Sequence, residues 1–324
     1  MIFSTATRAI ARYQVRHHMT HGENPMMKTM ASSGPREFVQ VGLEAAQCSN
    51  NILRLVESSH GWAASALDTI STTWHPQGVL WRHDPEVGWT ASAAKTEFAQ
   101  QANSSFGSRN TASIMTPRLL SMTMSDDRTA LIKLLGVDGN QRYLTLLRLD
   151  PDVKNSSMIA NDGWVILREV VIGGEAAQRT SRSAFGSLNQ ALQTYLDVEH
   201  GGGAVARAKA EQLFDPRASL IAVGSLPADA HATDWSAPAG SLLEISLSTY
   251  LDGVESQRPH APTCRAHDAI VSMDVCGLAA TATVRVGNGA QDQVFDDFLL
   301  LGKEENASDW RILSKAFSPK TWPQ

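Results

Sequence analysis

The sequence predicts an α+β protein of two tandem cone-shaped domains, each with three helices packed on a curved antiparallel sheet. Three observations carry this. Strand-like segments at 129–134, 143–149 and 164–170 recur in the same order at 280–286, 295–301 and 310–316, an offset of about 150 residues. The length of 324 residues is about twice a typical domain. In each half, helical spacing precedes a run of strands instead of alternating with them, which separates α+β from α/β.

The first repeat, residues 37–173, opens on a helix at 39–58, where Val41, Leu43, Ala46, Ile52, Leu53 and Val56 keep helical spacing. A second helix at 62–73 places Trp62, Ala66 and Ile70 on one face. Trp74-His-Pro76 stops it, because proline cannot continue a helix. A brief strand covers 79–81, and Thr90 is read as the cap of a third helix through Ala93, Ala94, Phe98 and Ala99. Strands follow near 112–124, 129–137, 141–149 and 163–172, with Asp138-Gly139 and Asp162-Gly163 as hairpin turns.

The second repeat, residues 183–324, follows the same plan after a linker at 174–182. Leu188, Leu192, Tyr195 and Leu196 mark its first helix, which Gly201-Gly-Gly203 breaks as a flexible turn. A second helix at 204–214 ends at Asp215-Pro216, a short strand covers 220–223, and 225–240 reads as an inserted loop. The third helix spans 241–254 through Leu242, Ile245, Leu247 and Leu251. Strands are expected near 264–275, 278–286, 293–302 and 308–317.

Hydrophobic residues make up 43% of the chain and charged residues 19%, as in ordinary globular proteins. No run of about 18 apolar residues occurs, so no membrane span is expected. A net charge of −5 argues against nucleic acid as the partner. Cys48, Cys264 and Cys276 are too widely spaced for a disulfide framework or a metal site, and free thiols in a reducing compartment are expected.

Residues 1–36 differ from the rest. They carry a local net charge of +4, leaving −9 on residues 37–324. Arg8, Arg12 and Arg16 line one helix face and Phe3, Ala6, Ile10 and Tyr13 another. This basic, acid-poor, amphipathic start looks like an organelle transit peptide, which implies a mitochondrial or plastid location; otherwise the protein is cytoplasmic. A tail without targeting value, or a true start at Met30, are the competing readings. The leader is expected to be dispensable for folding.

Phe214-Asp-Pro-Arg-Ala-Ser-Leu220, Phe295-Asp-Asp-Phe-Leu-Leu-Leu301 and Trp310-Arg-Ile-Leu-Ser-Lys-Ala-Phe317 resemble the nuclear-transport-factor-2-like superfamily, in particular its SnoaL-like and "putative lumazine-binding" branches. The resemblance covers nearly all of the second repeat. It is weaker over the first, where Trp74-His-Pro-Gln-Gly-Val-Leu80 replaces the acidic segment. It implies one pocket per cone, between helices and sheet. It also implies that the two repeats pair through the outer faces of their sheets, as an internal pseudo-dimer. The superfamily holds isomerases, dehydratases, cyclases and binding modules, so fold alone does not assign chemistry.

Asp297 alternates with Phe295, Leu299 and Leu301, so it shares their face of the strand. On the concave face, its pKa would rise by desolvation and it would serve as acid or base. The competing reading is a cross-strand pair with Lys315 or Arg311, for which Asp297→Asn costs about 1 kcal/mol or less. Asp296 points the other way and is expected in solvent. Tyr195 matches the helix that carries an oxyanion-binding tyrosine in isomerase-like relatives, yet the carboxylate base those relatives need is missing at Leu220-Ile221-Ala222. As a core aromatic, Tyr195 would keep its hydroxyl at the rim.

His83 and Asp84 suggest a dehydratase-type pair, but adjacent residues on a strand face opposite ways, and Asp84-Pro85 also reads as a turn. Trp62, Trp74, Trp81 and Trp89 either line an aromatic pocket or fill the core and the face between repeats. Trp81, Phe295 and Tyr250 are the candidate ligand-lining aromatics. His260, His267 and Cys264 fall short of a zinc site, and no metal or cofactor is expected.

The function expected is a non-enzymatic scaffold that binds a small hydrophobic molecule or a protein partner. The alternative is an isomerase, dehydratase or cyclase using Asp297 or His83. Convergence of titratable groups in a pocket separates the two.

Overall fold

The computed structural model describes residues 73–94, 96–97, 117–124, 129–136, 139–148, 164–173, 177, 182–223, 242–260, 262–288, 293–305 and 307–321. The leader, the helix expected at 39–58, nearly all of that at 62–73, Cys48 and the loop at 225–240 lie outside them. The strands are β1 (Trp74–Asp84), β2 (Gly88–Ala93), β3 (Arg118–Met124), β4 (Thr129–Leu135), β5 (Gln141–Arg148) and β6 (Trp164–Ile172) in the first half. The second half holds α1 (Arg182–Glu199), α2 (Gly203–Leu213), β7 (Phe214–Val223), β8 (Leu242–Ser246), α3 (Leu247–Ser256), β9 (Ala269–Cys276), β10 (Ala279–Asn288), β11 (Gln293–Gly302) and β12 (Arg311–Thr321).

The two sheets are the same object twice. Each is six-stranded, in the orders β2-β1-β6-β5-β4-β3 and β8-β7-β12-β11-β10-β9. Their registers match as well. Trp74 pairs with Ile166 as Phe214 pairs with Ile312, and both ladders then shift before Val79–Arg168 and Ser219–Ser314. The β5–β6 and β11–β12 ladders shift at corresponding points, after Thr145 and after Leu300. Trp164 therefore matches Trp310, each two residues before its isoleucine.

Five local expectations change. Neither sheet is wholly antiparallel, since β1–β6 and β7–β12 pair in parallel. The strand expected at 79–81 is the end of the longer β1; Pro76 falls inside its register shift, where a missing N–H breaks no ladder bond. Thr90 caps no helix but lies in β2 opposite Arg82, whose carbonyl accepts its hydroxyl at 3.3 Å. The helix expected from 241 begins at Leu247, because Ser246 accepts from Thr249 N at 3.1 Å and caps it, while Leu242–Ser246 extends the sheet as β8. The strand expected from 264 starts at Ala269, behind a 3-10 turn at Pro262–His267.

Strand alternation sorts the second core into two faces. Leu299, Leu301, Ala280, Ala282 and Ile312 face the helices. Phe298, Leu300, Leu313 and Ala316 face the other way and pack with Tyr143, Val170, Trp81 and Trp89 of the first sheet. Polar ties cross the same seam: Lys133 Nζ lies 2.6 Å from Asp274 Oδ1, Tyr143 donates to that oxygen, and Trp89 Nε1 donates to Lys303 O at 3.2 Å.

Candidate functional site

The helices of the second cone are shaped to cover its sheet. Ala184, Leu188, Leu192, Tyr195 and Leu196 recur every three or four residues of α1 and are all buried. Glu199 continues that stripe one turn after Tyr195 and closes the helix. The turn that follows is held, not loose. Gln257 Nε2 donates to Glu199 O and Gly201 O, both at 2.7 Å. Gly202 lies so close to this residue that a Cβ would stand 2.2 Å from Gln257 O.

Against this helix end the sheet presents two charged side chains. Asp297 is 1% exposed on β11, with Leu299 and Leu301 on the same face, and Lys315 is 4% exposed opposite Leu299 on β12. Tyr195 donates its hydroxyl to Asp297 Oδ2 at 2.5 Å. Lys315 Nζ lies 2.7 Å from Glu199 Oε1 and 3.4 Å from Asp297 Oδ2. Tyr250, from α3, donates to Glu199 Oε1 at 2.7 Å. The ammonium also sits over the rings of Tyr195, Tyr250 and Phe317 at 5.0, 5.3 and 5.0 Å.

Two carboxylates share one ammonium out of water, so they cannot ionise alike. Burial pushes Asp297 up, Lys315 opposes this, and Glu199 adds to it, so that the carboxyl titrates at about 7. Burial also works against the Glu199 carboxylate, but the Lys315 contact outweighs it and holds the group below its ordinary value. Lys315, penalised by burial, is carried above its ordinary value by Asp297 and Glu199. Burial beside these carboxylates keeps the phenols of Tyr195 and Tyr250 protonated and donating. At neutral pH the cluster therefore holds one ionised carboxylate, one ammonium and one carboxyl poised to gain or lose a proton.

Of the candidate residues, the fold brings Asp297, Tyr195 and Tyr250 together. Phe295 packs against the same cone with its ring edge-on to Phe317 at 6.3 Å. Trp81 and His83 lie elsewhere. Both are on the β1 face turned toward the second sheet, where Trp81 is fully buried and His83 stands edge-on to Trp89, its Nε2 3.5 Å from Glu304. Asp84 accepts from the N–H groups of Glu86 and Val87 and shapes a turn.

Asp296 is not in solvent but 2% exposed, because Arg285 on the adjacent strand donates to both its oxygens, at 2.8 and 3.2 Å. The Tyr195 hydroxyl is in the core instead of at the rim. Sequence reasoning looked for the second carboxylate on β7 and so missed Glu199; its signal was the spacing of four from Tyr195 on one helix face. It also missed His200, whose ring bonds Asp268 at 2.9 Å and contacts His260 at 3.3 Å behind the helix end. Among the described residues no three His, Cys, Asp or Glu side chains are grouped to hold a metal ion.

Residues 183–318 match the family model described as "Putative lumazine-binding". The match takes in α1 to α3 and β7 to β12 and does not reach β1 to β6. Solved structures similar to this chain include a nuclear-transport-factor-2-like protein of unknown function from Silicibacter pomeroyi, with 24% identity over 44% of this chain and 99% of that one, at a TM-score of 0.33. Another, from Shewanella baltica, has 20% identity over 45% and 100% and a TM-score of 0.34. A cystatin-like fold protein from Burkholderia xenovorans has 13% identity over 44% and 96% and a TM-score of 0.29. Comparison with curated proteins gave no match. The polar cluster lies within the matched residues, between their helices and their sheet.

Proposed function

We propose that the chain is a small-molecule-binding scaffold, an internal pseudo-dimer of two cones whose second cone takes a small, mostly apolar ligand at Asp297. One observation carries this reading. Asp297 Oδ1 is buried and meets no hydrogen-bond partner among the described residues, while Oδ2 is engaged by Tyr195 and Lys315. An unsatisfied buried acceptor costs about 1–3 kcal/mol, which a ligand N–H or O–H removes. Tyr195, Tyr250, Phe295 and Phe317 supply the aromatic walls that a flat ligand needs.

The matched family's description names lumazine, a flat heterocycle with N–H donors, and this makes it the first probe. Titration calorimetry with lumazine is expected to give saturable one-to-one binding that weakens about tenfold or more in Asp297→Asn, whose amide presents a weaker acceptor. Equal affinity in the two proteins would move the site away from Asp297. No binding of lumazine or of uracil, a smaller ring with the same donors, would sink the ligand reading.

The enzyme reading rests on a separate observation. A carboxyl raised to about 7, hydrogen-bonded by a tyrosine hydroxyl and linked through Lys315 to a second carboxylate, has the makeup of a general acid or base. It would take a substrate proton at Oδ1, in an isomerisation, dehydration or cyclisation. Turnover rising with pH through 7 and absent in Asp297→Asn would favour it over the scaffold.

A further inference from the structure

An open groove of about 950 Å³ lies between α2, α3, β7, β8 and Gln77 of β1. Pro216, Leu247 and Leu251 form its apolar side, with the buried Phe214 behind them, and Ser219, Glu244 and Arg217 its polar side. Beneath it lies a buried cation. Arg168 of β6 is 0% exposed. Its Nε donates to Ser219 Oγ at 2.8 Å and its Nη1 to Gln77 O at 2.7 Å and Leu167 O at 2.9 Å. Its Nη2 reaches Glu244 Oε1 at 3.4 Å. Three of these four partners line the groove.

The carbonyls and the hydroxyl satisfy N–H groups but bring no charge. Glu244, long in contact and with a side chain 39% exposed, is the one carboxylate bridged to this guanidinium among the described residues. A cation taken out of water and met by one distant, solvent-screened anion is under-neutralised. Burial accordingly pulls Arg168 down to about 10. The other arginines of the groove differ. Arg207 is engaged by Glu211, Asp252 and Glu255. Arg217 is paired with Asp215 and laid over Trp81 at 5.3 Å.

We propose that this groove binds an oxyanion carried on a small apolar body, the anion taking the place of Glu244 at Arg168 Nη2 and the apolar part lying on Pro216, Leu247 and Leu251. A guanidinium fork suits a planar carboxylate or a phosphate, and the wall beside it accepts a ring or short alkyl chain. This site is separate from Asp297 and does not depend on the function proposed for the cone.

The test is calorimetric titration of the full chain with phenyl phosphate, benzoate, inorganic phosphate and benzyl alcohol. Phenyl phosphate or benzoate is expected to bind at least about tenfold more tightly than inorganic phosphate or benzyl alcohol, because each of these lacks one half of the recognised pair; the tighter of the two anions names the group. Glu244→Gln removes the competing carboxylate from an exposed position and is expected to tighten binding roughly two- to fivefold. Arg168→Gln is expected to abolish binding. Should that variant not fold, Glu244→Gln carries the test alone. Unchanged or weaker binding in Glu244→Gln, or equal affinity for phenyl phosphate and inorganic phosphate, overturns the proposal. Asp297→Asn is expected to leave these affinities unchanged, and a loss there would place the anion in the cone and overturn it too.

Discussion

Arg142 stands in the first sheet where Asp297 stands in the second. Arg142 faces Val171 in the ladder as Asp297 faces Phe317, and Glu169 faces Leu144 as Lys315 faces Leu299. The first pair closes at 2.5 Å and the second at 3.4 Å. Each cone thus keeps a buried ion pair at one place, with the two signs exchanged between neighbouring strands. In the second cone α1 adds Glu199, a second carboxylate on the one ammonium, and burial of this cluster raises Asp297 to about 7.

The pH dependence of stability follows from this raised value. Burial raises Asp297 to about 7, so between its ordinary value of 3.8 and that point the native state holds a proton that the unfolded chain has lost. Its contribution to stability is therefore complete below 3.8 and is lost as pH rises through 7. Glu199 is held below its ordinary 4.5 and acts with opposite sign at lower pH, so it does not enter a comparison between pH 5 and pH 8. Asp297→Asn mimics the neutral carboxyl, so urea unfolding is expected to show the variant gaining on wild type from pH 5 to pH 8. Parallel curves for the two proteins would refute the assignment. The milder expectation of a solvent-screened pair does not apply to a carboxyl that is 1% exposed.

Tyr195→Phe deletes the hydroxyl that donates to Asp297 Oδ2. That bond favours the ionised carboxylate, so its removal is expected to raise the Asp297 pKa further and to cost about 1–3 kcal/mol. Carbon-detected NMR of the carboxyl reads the titration directly. A fall in the pKa would show that the tyrosine does not stabilise the charged form.

Much of this was legible in the sequence, and the failures have physical causes. Alternation in Phe295-Asp-Asp-Phe-Leu-Leu-Leu301 puts Asp297 on the face of Leu299 and Leu301, and packing of those leucines with the helices makes that face the inner one. Asp296 was misplaced because the outer face of β11 faces no water at that point: Arg285 covers it. Thr90 suits a helix cap by residue type and 242–246 suits a helix by apolar spacing, which over five residues fits both elements, and pairing to β1 and β7 decides for strand in each. Lys315 and Tyr250 are legible as a cross-strand partner and a lining aromatic, whereas Glu199 is not, because it joins the cluster through Lys315 and Tyr250 by tertiary packing alone.

Lys315→Met tests the electrostatic centre of the cone. Methionine keeps most of the apolar stem, but the part-buried Glu199 and the buried Asp297 are left without their ammonium. Breaking a buried pair from one side costs about 3–5 kcal/mol. The loss is expected to be larger at pH 8 than at pH 5, since at pH 5 Asp297 already carries a proton. A loss independent of pH would mean that packing of the lysine stem, and not its charge, supports the cone.

Gly302→Ala tests the seam between the sheets. Gly302 ends β11, and a Cβ there would stand 2.5 Å from Cε2 and Nε1 of the Trp89 indole. That ring is 3% exposed and bonded through Nε1 to Lys303 O, so it has no free side to yield into. Overpacking of this kind costs about 1–3 kcal/mol. The strain falls between the halves and leaves the Tyr195–Asp297 cluster in the opposite face of the sheet untouched. Denaturation is therefore expected to show a lower midpoint with an altered tryptophan emission, while the carboxyl titration of Asp297 stays in place. Should that titration move with the midpoint, the seam and the cone would be one cooperative unit, and the separation of the two faces by strand alternation would not hold energetically.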